Sequence, residues 1–334
     1  MKRIIISRTD AIGDVVLTLP LAGIIKKSFP EVKIIFFGRS YTKPVIDLSE
    51  NVDEYIDYDE FNKLKPAMQS AFLKKVNADC ILHIYPRSAI AKAAKQAGIA
   101  KRIGTSHRLY HWFTCNKLIH FSRKKSDLHE AQLNAKLLDG LSIPSSFTLN
   151  ELAGFYGIKN NFSPTINFVQ KLSNDKINLV IHPRSHGSAR EWGLEHYREL
   201  IYILKDFATI FISGSEKEKD ELKEWMTTLP PGIHDMTGRL SLSELIAFLS
   251  VADGIVAGST GPLHIAAALG RHALGIFPPI RPMHQGRWAP VGRQAEFITF
   301  PKNCIDCQSN PANCSCLKNI SPQQVADLIV RWEK

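Results

Sequence analysis

No apolar run in the 334-residue chain approaches the roughly 20 residues needed to cross a bilayer. Charges at Lys2, Arg3 and Arg8 bracket Ile4-Ile5-Ile6-Ser7 too closely for a secretory leader, whose apolar region runs about 7–15 residues. The expectation is a cytoplasmic protein whose six cysteines are mostly reduced. The first loop holds no Gly-x-Gly-x-x-Gly, so a dinucleotide fingerprint has no support, and the absence of Gly-Lys-Ser/Thr excludes a Walker loop. Internal repeats at solenoid periods and low-complexity tracts are also missing. Acid is nearly absent from residues 83–129, where Asp127 stands alone against ten Lys/Arg and five His.

What is present is ordinary globular material, 44% hydrophobic and 22% charged, in a length that suggests two domains with two cores. The charge is lopsided. Residues 1–160 hold 24 Lys+Arg and 15 Asp+Glu, a net of +9, while residues 161–334 hold 18 and 17, a net of +1. An excess confined to one half points to a polyanionic partner, either nucleic acid, an anionic membrane surface or a phosphorylated substrate; the bland alternative is a solvated basic face.

Strand and helix patterns alternate through the first half. Strands are expected at 3–7, 33–38 and 80–84, and helices at 15–29, 61–76, 89–97 and 128–141. Residues 142–175 carry Pro144, Pro164 and scattered Ser and Asn, and read as linker. The alternation then restarts, with strands at 177–182, 208–214, 254–257 and 273–277 and helices at 194–205, 216–227, 242–251, 261–269 and 322–332. This is the pattern of an α/β protein with two doubly wound parallel sheets. Such sheets bind ligands beyond the carboxyl ends of their strands, so one ligand is expected on each half.

Four loops at those strand ends carry candidate chemistry. Ser7-Arg8-Thr9-Asp10-Ala11-Ile12-Gly13-Asp14 joins the first strand to its helix. Gly13 allows a tight turn or a close substrate, and Asp14 is either a first-turn carboxylate favoured by the helix dipole or a general base. Gly258-Ser259-Thr260-Gly261-Pro262-Leu263-His264 opens a helix with small, hydroxyl-bearing residues, which is either an anion site or a well-capped core helix. Pro262 suits its first position. Arg190, in the loop after residue 182, is a candidate diphosphate ligand. Glu216 is either an acceptor for ribose hydroxyls or a first-turn acid without a role. Cys304, Cys307, Cys314 and Cys316 cluster late in the chain; their spacing is not that of a standard zinc ribbon, and free thiols remain the alternative to a metal.

Taken together, these motifs resemble glycosyltransferase family 9, the ADP-heptose:lipopolysaccharide heptosyltransferases. The resemblance runs from Arg8-Thr9-Asp10-Ala11-Ile12-Gly13-Asp14-Val15-Val16-Leu17-Thr18-Leu19-Pro20, through Arg190-Glu191-Trp192 and Gly214-Ser215-Glu216, to Ser259-Thr260-Gly261-Pro262-Leu263-His264. It implies a GT-B fold, two Rossmann-like domains facing a cleft. Residues 1–160 would take the acceptor, 161–320 the nucleotide sugar, and a final helix at 321–334 would return to the N-terminal domain. It implies an inverting, metal-independent transfer with no cofactor, in which Asp14 is the base and Arg8 and Gly13 belong to the acceptor-side loop. Arg190, Glu216, Ser259, Thr260, Gly261 and His264 match the donor-binding positions. The expected partners are an ADP-sugar, an anionic lipopolysaccharide core and the inner membrane surface, without nucleic acid.

Two departures keep alternatives open. Ser259 stands where many members have an acid, and Pro278-Pro279-Ile280 replaces a common Gly-Pro-Thr. A different nucleotide sugar is one alternative. A non-catalytic basic binding protein is the other, and it rests on net charge alone.

Overall fold

The computed structural model describes residues 1–159, 162, 166–185, 187, 189–301 and 315–332. The chain divides into two units, residues 1–159 and 160–334. The first is built on β1 (Arg3–Ser7), β2 (Lys33–Gly38), β3 (Glu54–Asp57), β4 (Cys80–His83), β5 (Lys101–Thr105) and β6 (Lys117–Ile119), all parallel, in the order β3-β2-β1-β4-β5-β6. The second uses β7 (Ile177–His182), β8 (Ala208–Ile212), β9 (His234–Asp235), β10 (Gly254–Ala257), β11 (His272–Phe277) and β12 (Ala295–Thr299), also parallel, in the order β12-β11-β10-β7-β8-β9. Each is the 3-2-1-4-5-6 order of a Rossmann-type sheet. The direction of winding reverses between β1 and β4 in one unit and between β7 and β10 in the other, and the crevices at those points are where such sheets bind ligands.

The central strands are apolar because helices cover both their faces. Ile4, Ile5 and Ile6 are fully buried, as are Leu179, Val180 and Ile181. Phe37, Phe61, Leu73, Ile81 and Ile90 join Ile5 in one core; Tyr197, Leu200, Val256 and Leu274 join Ile181 in the other. The expected α/β class is what the chain forms.

Three expected elements differ in detail. The helix read at 15–29 is two, Ile12–Val16 and Pro20–Ser28, because Pro20 has no N–H for the preceding turn and starts a new helix. The helix read at 61–76 divides the same way into Tyr58–Lys63 and Pro66–Val76. The stretch read as linker at 142–175 is partly built into the first unit. Thr148 caps the Leu149–Ala153 helix in a reciprocal box with Glu151, and the chain then returns to pair Ile158 with Ser49.

The last helix, Pro322–Ile329, was expected to return to the N-terminal domain. It lies instead in the core of the second unit, where Val325, Ala326, Ile329 and Trp332 pack with Tyr197 and Leu200 of the Leu194–Leu204 helix. Trp332 stacks on His272 with ring centroids 4.9 Å apart, over Gly254, where a Cβ would stand 2.4 Å from the indole. The Trp192 indole N–H donates to the Ile320 carbonyl at 2.9 Å and fixes the approach to that helix.

Candidate functional site

In the first unit the chain leaves β1 at Ser7, and Arg8 turns inward at the switch point. Its guanidinium is almost fully buried and is shared among four side chains. Nε donates to Asp10 at 2.7 Å, Nη1 donates to Glu130 at 3.0 Å and to Asn134 at 3.1 Å, and Nη2 pairs with Asp14. Arg123 joins from the far side. It pairs with Glu130, donates to Asn134 at 3.1 Å and reaches the Ile84 carbonyl at 3.2 Å. Asn134 donates in turn to Thr18 Oγ1 at 3.1 Å, and Thr18 donates to the Asp14 carbonyl at 2.8 Å. Arg87, on the loop after β4, donates to Thr9 Oγ1 and to the Thr9 carbonyl, both at 3.0 Å.

This network changes how Asp14 reads. It lies in the first turn of Ile12–Val16, whose cap residue is Ala11 and makes no side-chain cap bond. Asp14 spends its carboxylate on Arg8 rather than on capping. Its side chain keeps 19% exposure, so it is held by a buried cation and still open to solvent. Burial pushes its carboxyl up to about 6; Arg8 opposes that, while Asp10 and Glu130 add to it. Burial also raises Asp10, against the pull of Arg8. Burial alone would lower Arg8, but Asp10, Asp14 and Glu130 raise it, so it stays charged throughout. Gly13 sits inside the helix and is not among the glycines with positive φ, so the tight turn proposed for it is not used.

The stretch of residues 83–129 is less uniformly charged than its composition suggests. His83 is buried and lowered to about 3 by desolvation, then by His111 and Arg102. Desolvation lowers His111 as well, and its Nδ1 bonds to the Thr105 carbonyl at 3.0 Å. His129 Nδ1 accepts the Ala131 N–H at 3.2 Å, capping the Glu130–Ala135 helix. The positive field comes from the lysines and arginines.

In the second unit the loops after β7 and β10 meet at the switch point. A Cβ on Gly258 would lie 3.5 Å from the Arg190 carbonyl, so the two loops are in contact. Thr260 is the cap residue of the Gly261–Ala268 helix but its side chain makes no cap bond, and Pro262 takes the second helical position rather than the expected first. Among the described residues, Thr260 Oγ1 and Arg190 Nε are both buried without a hydrogen-bond partner. His264 is buried one turn in, and Ser259 is half-buried at the rim. A buried hydroxyl at a helix N-terminus and a buried guanidinium N–H on the loop that touches it, both left unsatisfied, are donors suited to an anion.

Glu191 organises the rest of that loop, accepting from Arg184 at 2.8 Å and from the Ser185 N–H at 2.9 Å. Glu216 opens the helix after β8 on the same sheet edge. The capping there falls to Ser215 and buried Glu218, which leaves Glu216 exposed beside Gly238. Cys304, Cys307 and Cys314 lie outside the described residues; Cys316 is buried in the short helix Ser315–Lys318.

The motifs thus gather into two clusters, Arg8, Gly13 and Asp14 in one unit and Arg190, Ser259, Thr260, Gly261 and His264 in the other, with Glu216 one strand away. Sequence reading missed Asp10, Arg87, Arg123, Glu130 and Asn134. An ionisable residue inside an apolar helix pattern was the one available signal, and it applied to Glu130.

Two Rossmann-type units with polar loops at both switch points are the architecture of the GT-B class. The chain belongs to glycosyltransferase family 9 (heptosyltransferase), whose model matches residues 73–318. Its sequence is 24% identical over 295 residues to the lipopolysaccharide core heptosyltransferase OpsX of Haemophilus influenzae, covering 84% of this chain and 80% of that one. Its fold is similar to E. coli ADP-heptose lps heptosyltransferase II, with a TM-score of 0.75 and 17% identity over 99% of this chain and 98% of that one. It is likewise similar to E. coli heptosyltransferase WaaC solved with ADP, with a TM-score of 0.72 and 17% identity over 99% and 100% of the two chains.

Proposed function

We propose that the protein transfers heptose from ADP-heptose to the anionic inner core of lipopolysaccharide with inversion at the anomeric carbon. The observation that carries this reading is the Asp14 carboxylate, raised by burial, steadied by Arg8 and open on one side. In the reaction Asp14 takes the proton of an acceptor hydroxyl while that oxygen bonds to the anomeric carbon. The bond from the sugar to the diphosphate breaks on the opposite face, and its electron pair leaves with ADP. The N–H groups that begin Gly261–Ala268, Thr260 Oγ1, His264 and Arg190 stabilise the departing charge, so the step uses no metal ion. Glu216 holds the ribose. The basic first unit attracts the acceptor and the anionic membrane surface that bears it.

The test is turnover of ADP-heptose on a core acceptor lacking heptose, together with thermal unfolding against ADP-heptose, ADP, UDP and GDP. A ligand at 100 times its Kd stabilises by about 2.7 kcal/mol, a shift of several degrees. The expected order is ADP-heptose above ADP, with no shift from UDP or GDP. Turnover confined to a UDP- or GDP-sugar would retain the fold and discard heptose, which is the reading that Ser259 favours. Arg190→Ala is expected to weaken ADP about tenfold or more, since a hydrogen bond to a charged group contributes about 1.5–3 kcal/mol. Unchanged ADP affinity in that variant removes Arg190 from the site.

The pH profile supplies a second check. A base must be ionised to act, so kcat rises with pH through about 6 and levels above it. Because the charge on Glu130 raises Asp14, Glu130→Gln is expected to move this acid limb to lower pH. A limb that stays in place dissociates Glu130 from the base.

A further inference from the structure

The helix Leu109–Thr114 follows β5 after only three residues and buries one side, His111 and Thr114. Its other side carries Leu109, Trp112 and Phe113, which are 76%, 60% and 68% exposed. Their spacing of three and four residues puts them on one face. Scattered exposed apolar residues are ordinary, but three large ones on a single turn form a patch that asks for a partner. The patch is held in place. The Trp112 indole N–H donates to the Ser106 carbonyl at 2.9 Å, and Lys95 Nζ donates to the Phe113 carbonyl at 2.8 Å. Lys92 and Lys95 project from the neighbouring helix Ser88–Gln96, and Arg108 is the exposed residue before the patch. No acid occurs in the sequence between Asp79 and Asp127.

We infer that this face docks on an anionic lipid bilayer, with Leu109, Trp112 and Phe113 entering the boundary between headgroups and acyl chains and Lys92, Lys95 and Arg108 meeting lipid phosphates. The chemistry fits on both counts. An apolar wedge that includes an indole suits the membrane interface, and exposed cations on an acid-free stretch of sequence suit its charge. The placement fits too. The helix starts at the carboxyl end of β5, the sheet edge that carries Arg8 and Asp14, and only β4 lies between β5 and β1, a spacing of about 10 Å. This inference rests on the reading that the acceptor is a saccharide borne on lipid.

The experiment is sedimentation of the full chain with phosphatidylcholine vesicles, with and without phosphatidylglycerol, comparing wild type with the combined variant Leu109→Ser, Trp112→Ser, Phe113→Ser. Wild type is expected to bind the anionic vesicles, and the variant to lose about tenfold or more of that partitioning. Trp112 emission, read as the difference from Trp112→Phe, is expected to shift to the blue on anionic vesicles only. Equal binding by variant and wild type, or no binding by wild type, overturns the proposal. So does a Trp112 shift produced by an RNA oligonucleotide and not by vesicles. Phe113→Ser alone repeats the vesicle assay if the combined variant unfolds. Turnover on a delipidated, soluble acceptor keeps the two readings apart: it is expected to stay within about twofold in the patch variant. Absence of turnover in both proteins would fail the transfer reading while leaving the vesicle result to judge the surface.

Discussion

Asp14→Asn is expected to lower kcat about a thousandfold, within the range of about 10²–10⁴ that a positioned base contributes. At about 1.4 kcal/mol per decade this is about 4 kcal/mol of transition-state stabilisation. Donor affinity is expected to be unchanged, because Asp14 belongs to the first unit and the anion site to the second. What separates a base from a structural acid is the accompanying stability. The Asp14 carboxyl is raised from its ordinary 3.8 to about 6 in the folded state. A carboxyl raised by folding favours the folded state while it is protonated, and that contribution is lost as pH rises from about 4 through about 6. At pH 7 the ionised group is therefore a cost to the fold, and Asn, which has no charge to bury, avoids it. The named network sets two guanidinium groups, on Arg8 and Arg123, against three carboxylates, on Asp10, Asp14 and Glu130. Removing one carboxylate leaves it balanced. A variant that loses turnover while its unfolding temperature at pH 7 holds or rises is the expected result. A kcat within tenfold of wild type would dismiss Asp14 as the base.

The parts of the fold that were legible are those where local pattern and burial coincide. Ile4-Ile5-Ile6 and residues 177–182 read as strands because both faces of a central parallel strand are covered, so the apolar run is continuous. The edge strands had no such run. In β12 Glu296 and Phe297 are both exposed, and β6 opens on exposed Lys117, so neither stands out from loop. Proline was not read as the start of helices at Pro20 and Pro66, although the first helical turn is where it fits. The destination of the last helix was not legible either. An amphipathic stripe says that Val325, Ala326 and Ile329 share a face, and nothing about which core receives it.

The candidate site divides along the same line. Arg8, Arg190 and Thr260 sit on loops between a strand and a helix, and Asp14 in the first helical turn after one, where glycine, hydroxyl and charge are informative within a few residues. Glu130 meets Arg8 across 122 positions and Asn134 across 126, and no local spacing connects them. Their role emerges only once β1 and the Glu130–Ala135 helix are packed into one unit.

Arg8→Met is expected to be the most damaging single change to stability. The residue is 2% exposed and its guanidinium is the common partner of Asp10, Asp14 and Glu130. Removing one member of a buried ion pair costs about 3–5 kcal/mol, chiefly because the opposite charge is left buried and uncompensated. At about 2–4 °C per kcal/mol for a unit of this size, the first unfolding transition is expected to fall by about 10 °C. The loss has a direction in pH. Without Arg8 the Asp10 and Asp14 carboxyls are raised further, since the cation that lowers them is gone. Their ionised forms are then the unfavourable ones, and protonation relieves the strain. The gap from wild type should be smaller near pH 5 than at pH 8. Arg8→Lys separates charge from geometry. It restores one cation, but an ammonium on a flexible stem cannot replace a planar fork bonded to four side chains. It is expected to recover part of the unfolding temperature while turnover stays at least tenfold down, because Asp14 is no longer held in place. Full recovery of both by lysine would mean that Arg8 contributes charge alone. A drop of less than about 2 °C for Arg8→Met would mean that the carboxylates are already neutral in the folded protein, and Asp14 could not then act as a base at neutral pH.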